Sequence, residues 1–107
     1  MSLDVYLKEI KPSIRYRANI THNLGKMAKE AGIYMHLWRP DEIGITKAEQ
    51  LIEPLREGLC RLENDPDFFR QFDSPNGWGM YDHFVPFVRK YLEACIECPE
   101  ANVEVSR

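Results

Sequence analysis

The chain lacks the features of a membrane-spanning or secreted protein. No apolar run approaches the length that spans a bilayer, and residues 1–15 contain no apolar stretch of the signal-peptide type. The 3 cysteines are an odd number, which argues against a disulfide framework. We therefore expect a cytoplasmic protein with reduced thiols and no membrane partner.

The chain also lacks an excess of positive charge. Its 17 acidic and 14 basic residues are mixed along the sequence and give a net charge of -3. No basic stripe is present that would neutralise a row of phosphates, so duplex nucleic acid is not an expected partner. One or two arginines are nevertheless enough to bind a small anionic ligand locally.

Sequence signatures of catalysis and metal binding are missing as well. There is no nucleophile elbow, phosphate-binding loop or histidine pair of metal-hydrolase spacing. Cys95 and Cys98 form a C-x-x-C, but it closes a predicted helix at the negative end of its dipole, where a thiolate is not stabilised. We expect sluggish thiols, no metal site, no cofactor and no catalytic residue.

What the chain does contain is the composition of an ordinary globular protein. Apolar residues make up 44% and charged residues 29% of the 107 residues, well away from the balance of disordered chains. This length is too short for two independent cores. We predict a single domain over residues 1–107.

Both ends of the chain alternate between apolar and polar residues. Leu3, Val5 and Leu7 have a period of two, and so do Val103 and Val105. A period of two is typical of a half-buried strand, and two lone strands are most stable when paired. We predict that the terminal strands form a two-stranded sheet.

Between these ends, helical spacing dominates. Four apolar residues share one face of a predicted helix over 16–31, which Gly32 ends. A capping box from Thr46 to Glu49 predicts the start of a second helix, which runs to about Glu63.

A short helix and a third longer helix follow. Asp65 and Pro66 predict the start of the short one, and the turn at 74–77 precedes the longer one, which starts near Tyr81 and ends before Pro99. The sequence thus predicts an α+β fold with three longer helices, one short helix and a two-stranded sheet.

Seven polar and aromatic residues remain outside this predicted core. Three lie beside the apolar stripe of the first helix, and the others lie in or next to two loops that each carry a tryptophan. Such residue types dominate binding hot spots and stack on planar ligands. The alternatives are a solvated helix face and tryptophans that plug the edge of the core. We predict a ligand-binding pocket formed by Asn19, His22, Asn23, Trp38, Arg39, Trp78 and Tyr81.

Five short segments, spread from one end of the chain to the other, carry a resemblance. They read S-L-D-V-Y-L at 2–7, A-N-I-T-H-N-L at 18–24, L-W-R-P-D-E-I-G-I at 37–45, N-G-W-G-M-Y at 76–81 and V-S-R at 105–107. Together they resemble a group of small uncharacterised proteins encoded by bacteriophages and prophage-bearing bacteria. No established activity is attached to this group. By analogy with other small phage proteins that lack catalytic motifs, the resemblance implies a binder that blunts host defence.

We therefore expect a non-enzymatic binding protein that sequesters a small anionic, nucleotide-like ligand or occludes a host immune protein. One alternative is a small enzyme with His22 as general base, because histidine titrates near neutral pH. Another is a protein-binding or self-assembling domain that forms homo-oligomers through the tryptophan loops.

Overall fold

Three strands form one antiparallel sheet. The computed structural model describes residues 2–8 and 14–107, and the strands are β1 (Ser2–Lys8), β2 (Ile14–Thr21) and β3 (Asn102–Ser106). Their order is β2-β1-β3, so the two ends of the chain pair as predicted. The sheet has three strands where two are predicted, because β2 occupies the other edge of β1.

Helices fill most of the chain between β2 and β3. They are α1 (Gly25–Glu30), α2 (Tyr34–Trp38), α3 (Glu49–Asn64), α4 (Pro66–Arg70) and α5 (Tyr81–Glu97), with 3₁₀ turns at His22–Leu24 and Pro40–Ile43. The two longest, α3 and α5, pack against each other. The α+β class is confirmed. Within residues 2–8 and 14–107, no helix has the length and apolar character needed to cross a membrane.

The predicted helix over 16–31 is wrong in its first half, which forms β2. Ile20 pairs with Leu3 of β1, and both side chains are buried. Apolar residues four positions apart lie on one face of a strand as well as on one face of a helix, so their spacing does not distinguish the two structures. Pairing with β1 decides in favour of the strand. The helical half ends as predicted at Gly32, whose φ is 79°.

The start of α3 uses a side chain other than the predicted one. Gln50 Oε1 accepts hydrogen bonds from the backbone N–H groups of Thr46 at 2.8 Å and Lys47 at 2.9 Å. The residue before Glu49 makes no side-chain cap, so the predicted capping box is wrong. The reason is tertiary: Lys47 forms a β-bridge with Asn102, and this pairing holds Thr46 away from the cap position.

The core lies between one face of the sheet and the two long helices. Leu3, Val5 and Leu7 are fully buried, whereas their neighbours along β1 are only partly buried. They join the buried faces of α3 and α5 in one hydrophobic cluster. The opposite face of the sheet therefore carries the polar side chains, as is usual for an antiparallel sheet covered on one side.

Candidate functional site

A cleft of about 850 Å³ lies along β2 and is open to solvent. It is lined by β2, the 3₁₀ turn that follows, the loop at 76–79 and the first half of α5. The consecutive residues 18–21 all line it, so both faces of β2 border the cleft. This is expected where the cleft follows the edge of a sheet, because successive side chains of a strand point to opposite faces.

His22 lies at one end of the cleft and is hydrogen-bonded to the core. Its Nδ1 accepts the indole N–H of Trp38 at 2.9 Å. Because an indole nitrogen only donates, Nδ1 is unprotonated and the neutral ring carries its hydrogen on Nε2. That Nε2 is buried and has no hydrogen-bond partner within the described parts of the chain.

Trp38 supports the cleft from below and does not line it. Its side chain is buried and stacks on Tyr34 with ring centroids 5.2 Å apart. Its backbone carbonyl accepts a hydrogen bond from Arg107 at 2.7 Å. Trp38 therefore fits the alternative in which a tryptophan fills the edge of the core. Its link to the cleft is the hydrogen bond to His22.

Trp78 has the opposite environment, since 71% of it is exposed. The predicted turn at 74–77 is present, with the Gly77 N–H donating to Ser74 O at 3.1 Å. Asn76 Oδ1 accepts the Trp78 N–H at 2.9 Å, and the Asn23 side-chain amide donates to Trp78 O at 2.7 Å. The backbone of Trp78 is therefore held on both sides while its indole faces solvent at the rim of the cleft.

Gly79 lets this loop approach the end of β2. Its φ is 111°, and a Cβ there would lie 2.8 Å from Asn23 Cβ and 3.2 Å from Thr21 Cγ2. Only glycine combines that backbone conformation with so close an approach. The loop at 74–79, which we call the Trp78 loop, is thus docked against the strand that lines the cleft.

Asn19 and Asn23 both line the cleft, although they do not share a helix face as predicted. Asn19 lies on β2, and its side-chain amide donates to Asp4 Oδ1 at 2.8 Å and to Ser2 Oγ at 2.9 Å. Asn23 lies in the 3₁₀ turn. Each of them therefore fixes a neighbouring strand or loop through its amide.

Arg39 and Tyr81 lie outside the cleft, so the structure does not form one pocket from all seven predicted residues. Arg39 pairs with Glu42 at 2.7 Å, and this hydrogen bond raises the pKa of the guanidinium. The Tyr81 side chain is buried at the start of α5, and its hydroxyl donates to Leu62 O at 2.7 Å. Both side chains have structural partners elsewhere.

The cleft also has residues that the sequence interpretation missed. His83, Phe87 and Lys90 line it from α5, and their spacing of four and three residues places them on one helix face. That spacing can be recognised in the sequence, but no feature of the α5 sequence itself indicates that this face borders a cleft. No aspartate or glutamate lines it among the described residues, although the chain has 17. The lining therefore favours an anion.

None of the three cysteines lines the cleft. Cys95 is buried, and this burial raises the pKa of its thiol to about 12. Cys60 is exposed on α3. Within residues 2–8 and 14–107, no group of three or more metal-ligating side chains comes together. A thiol with so high a pKa is a poor nucleophile at neutral pH, in line with the predicted sluggish chemistry.

No protein-family model matches the chain, and no curated protein or solved structure is similar to it.

Proposed function

We propose that the chain is a non-enzymatic binding protein whose cleft holds a small, planar, anionic ligand of nucleotide type. The observation that carries the proposal is Trp78, an indole that is 71% exposed at the rim of a cleft that no acidic side chain of residues 2–8 and 14–107 lines. Because its backbone is held by Asn23 and Asn76, the indole projects from a fixed backbone position at the rim. A loop that is ordered before binding lowers the entropy cost of binding.

Each part of the cleft has a role in this proposal. The Trp78 indole stacks on the planar part of the ligand, a contact that contributes about 1–3 kcal/mol per base. Lys90 on α5 meets the anionic group, and His83 lies on the same helix face. A volume of about 850 Å³ lies within the range of small-molecule sites. The asparagines position the Trp78 loop and β2.

The setting implied by the sequence resemblance supplies a reason for such a binder. A phage protein that sequesters a nucleotide signal would lower the free concentration of that signal in the host without any chemistry. The absence of catalytic signatures from the sequence supports sequestration over turnover.

The geometry of His22 argues against the enzymatic alternative. A general base needs a free lone pair, but Nδ1 already accepts the Trp38 N–H and Nε2 carries the remaining hydrogen. Taking up a proton on Nδ1 would break this bond and leave a buried indole N–H without an acceptor. Such an orphaned donor costs about 1–3 kcal/mol.

A thermal-shift screen against mononucleotides, dinucleotides and cyclic oligonucleotides tests the proposal. Ligand at about 100 times its Kd should stabilise the fold by about 2.7 kcal/mol. Trp78→Ala should weaken binding by about 10-fold to 100-fold, and Trp78→Phe by less, because one stacking contact is worth about 1–3 kcal/mol. Ile43→Ala is a matched control, since Ile43 is an exposed apolar residue outside the cleft. The proposal fails if no ligand shifts the melting temperature, or if Trp78→Ala binds like Ile43→Ala.

A further inference from the structure

One nitrogen at the cleft carries a hydrogen that no other group accepts. Within residues 2–8 and 14–107, three buried side-chain atoms lack a hydrogen-bond partner, namely His22 Nε2, His36 Nδ1 and the Tyr91 hydroxyl. Of these three residues, His22 alone lines the cleft. A buried polar group without a partner lowers stability, and native proteins seldom keep one without a functional reason.

Trp38 decides which nitrogen of His22 carries the hydrogen. Its indole N–H donates to Nδ1 at 2.9 Å, so the neutral ring holds its own hydrogen on Nε2. Trp38 is itself held in place, because it stacks on Tyr34 and its carbonyl accepts a hydrogen bond from Arg107. The unpartnered group is therefore a donor, and only a hydrogen-bond acceptor can satisfy it.

This donor belongs to the end of the cleft where the Trp78 loop docks. A Cβ on Gly79 would contact Thr21 and Asn23. These two residues flank the histidine in the sequence, and Asn23 also donates to Trp78 O at 2.7 Å. The planar group that stacks on Trp78 is therefore the part of a ligand that lies nearest to His22.

The anionic part of the proposed ligand lies farther away. Lys90 and Tyr16 line both the cleft and a second hollow of about 440 Å³ beside the second half of α5. Along β2, Tyr16 and Thr21 are separated by roughly 17 Å of extended chain. Lys90 is thus placed toward the opposite end of the cleft from His22, so the acceptor that meets Nε2–H belongs to the planar group.

We propose that His22 selects the ligand by donating its Nε2–H to a hydrogen-bond acceptor of a nucleobase that stacks on Trp78. A ring nitrogen or an exocyclic carbonyl of the base supplies such an acceptor. Because Nε2 is buried, the base must displace the side chains that cover it, and the hydrogen bond then forms away from water. This inference rests on the proposed function and adds the contact that distinguishes a nucleobase from other planar anions.

The first test uses NMR of the histidine ring nitrogens at about pH 8, where an ordinary histidine is neutral. In the chain alone, His22 should carry its hydrogen on Nε2, and a hydrogen on Nδ1 would overturn the inference before any ligand is added. The nucleotides of the thermal-shift screen are then added one at a time. Binding should move the Nε2 resonance of His22 and leave the ring resonances of His36, which lies outside the cleft, in place.

Two substitutions separate the nitrogen that faces Trp38 from the nitrogen that meets the ligand. His22→Asn can place an oxygen near the position of Nδ1 and nothing at that of Nε2, so it should keep the fold and weaken nucleotide binding by about tenfold. His22→Gln reaches the position of Nε2 with an N–H but leaves the indole without an acceptor. It should therefore unfold at a lower urea concentration than His22→Asn and yet bind nucleotide more tightly. His36→Asn is the matched control and should leave the affinity unchanged.

Base analogues identify the acceptor. Each nucleotide that binds is compared with analogues in which one acceptor is replaced by C–H; for adenosine monophosphate these are its three deaza analogues. One analogue should bind the native chain about tenfold more weakly than the parent nucleotide, and it should bind His22→Asn as well as the parent does, because the two changes remove the same hydrogen bond.

The outcomes separate this inference from the proposed function. An unmoved Nε2 resonance with nucleotide bound, equal affinities of His22→Asn and the native chain, or full affinity for every analogue would overturn the inference and leave nucleotide binding in place. If no nucleotide shifts the melting temperature, both fall.

Discussion

Replacing Gly79 with alanine should loosen the Trp78 loop, because two effects act together at this position. A non-glycine residue at a φ of 111° is strained by about 1–3 kcal/mol. The added Cβ would also lie 2.8 Å from Asn23 Cβ and 3.2 Å from Thr21 Cγ2. Asn23 Cβ is bonded directly to the backbone and cannot swing away, so relief requires the loop to move.

The loss in free energy of unfolding cannot exceed the energy of the interactions that dock the Trp78 loop, because the loop can detach instead of bearing the strain. If the loop detaches, the strain disappears and the Asn23 hydrogen bond to Trp78 O is lost, at about 1 kcal/mol, together with apolar contacts. We therefore expect Gly79→Ala to lower the free energy of unfolding by about 2–3 kcal/mol, the upper part of the range for backbone strain, because the close Cβ contacts add to that strain. It should also weaken ligand binding, because Trp78 is no longer held.

Gly77→Ala is the matched control for this prediction. Gly77 has a φ of 79° but has no atom within 4 Å of an added Cβ, so it should lose only the backbone term of about 1–2 kcal/mol. Urea unfolding followed by circular dichroism measures both losses, and the side-chain amide resonances of Asn23 report detachment. Equal losses in the two variants, with unchanged Asn23 resonances, would refute the reasoning.

Three further predictions follow from buried groups. Gly58→Ala gains about 1 kcal/mol of helix propensity, but it places a Cβ 2.5 Å from Cγ2 of the fully buried Ile33. We therefore expect the free energy of unfolding, measured with urea, to fall by about 1–2 kcal/mol. The loss should be smaller when Ile33 is also replaced by alanine, because the close contact is then removed. In titration of the thiols with a disulfide reagent, the exposed Cys60 should react quickly and Cys95 only on unfolding. A fast reaction in a folded variant that carries both Cys60→Ser and Cys98→Ser, and so keeps Cys95 alone, would contradict this. Because the pKa of Cys95 rises from 9.0 to about 12, the unfolded chain releases this proton first, so stability should fall as the pH rises above 9.0, and less steeply in Cys95→Ala.

Much of the fold could be predicted because its signals are local. The alternation of Leu3, Val5 and Leu7 identifies β1 wherever it packs, and Pro66 marks the start of α4 by fixing its own φ. The start of α5 near Tyr81 is confirmed for the same reason, since its apolar spacing persists over 17 residues. Such patterns follow from the covalent geometry of the segment itself.

The candidate site was only partly predictable, because a pocket is built from segments distant in sequence. Residue type identifies Asn19, His22, Asn23 and Trp78, and all four line the cleft. Their predicted arrangement is wrong, because the helix expected around Asn19 is a strand. Residue type also could not separate Trp78, which is exposed, from Trp38, which is buried.

The sequence by itself determined the class of the fold, the strands at its ends and the position of α5, because hydrophobic periodicity and turn residues act within one segment. Tertiary structure alone decided that residues 14–21 form a strand, since the free edge of β1 offers hydrogen bonds that an isolated segment does not have. It also decided that Lys90, an exposed residue, borders a cleft. Which side of a helix borders a groove depends on how the elements pack, and that packing balances burial over the whole chain.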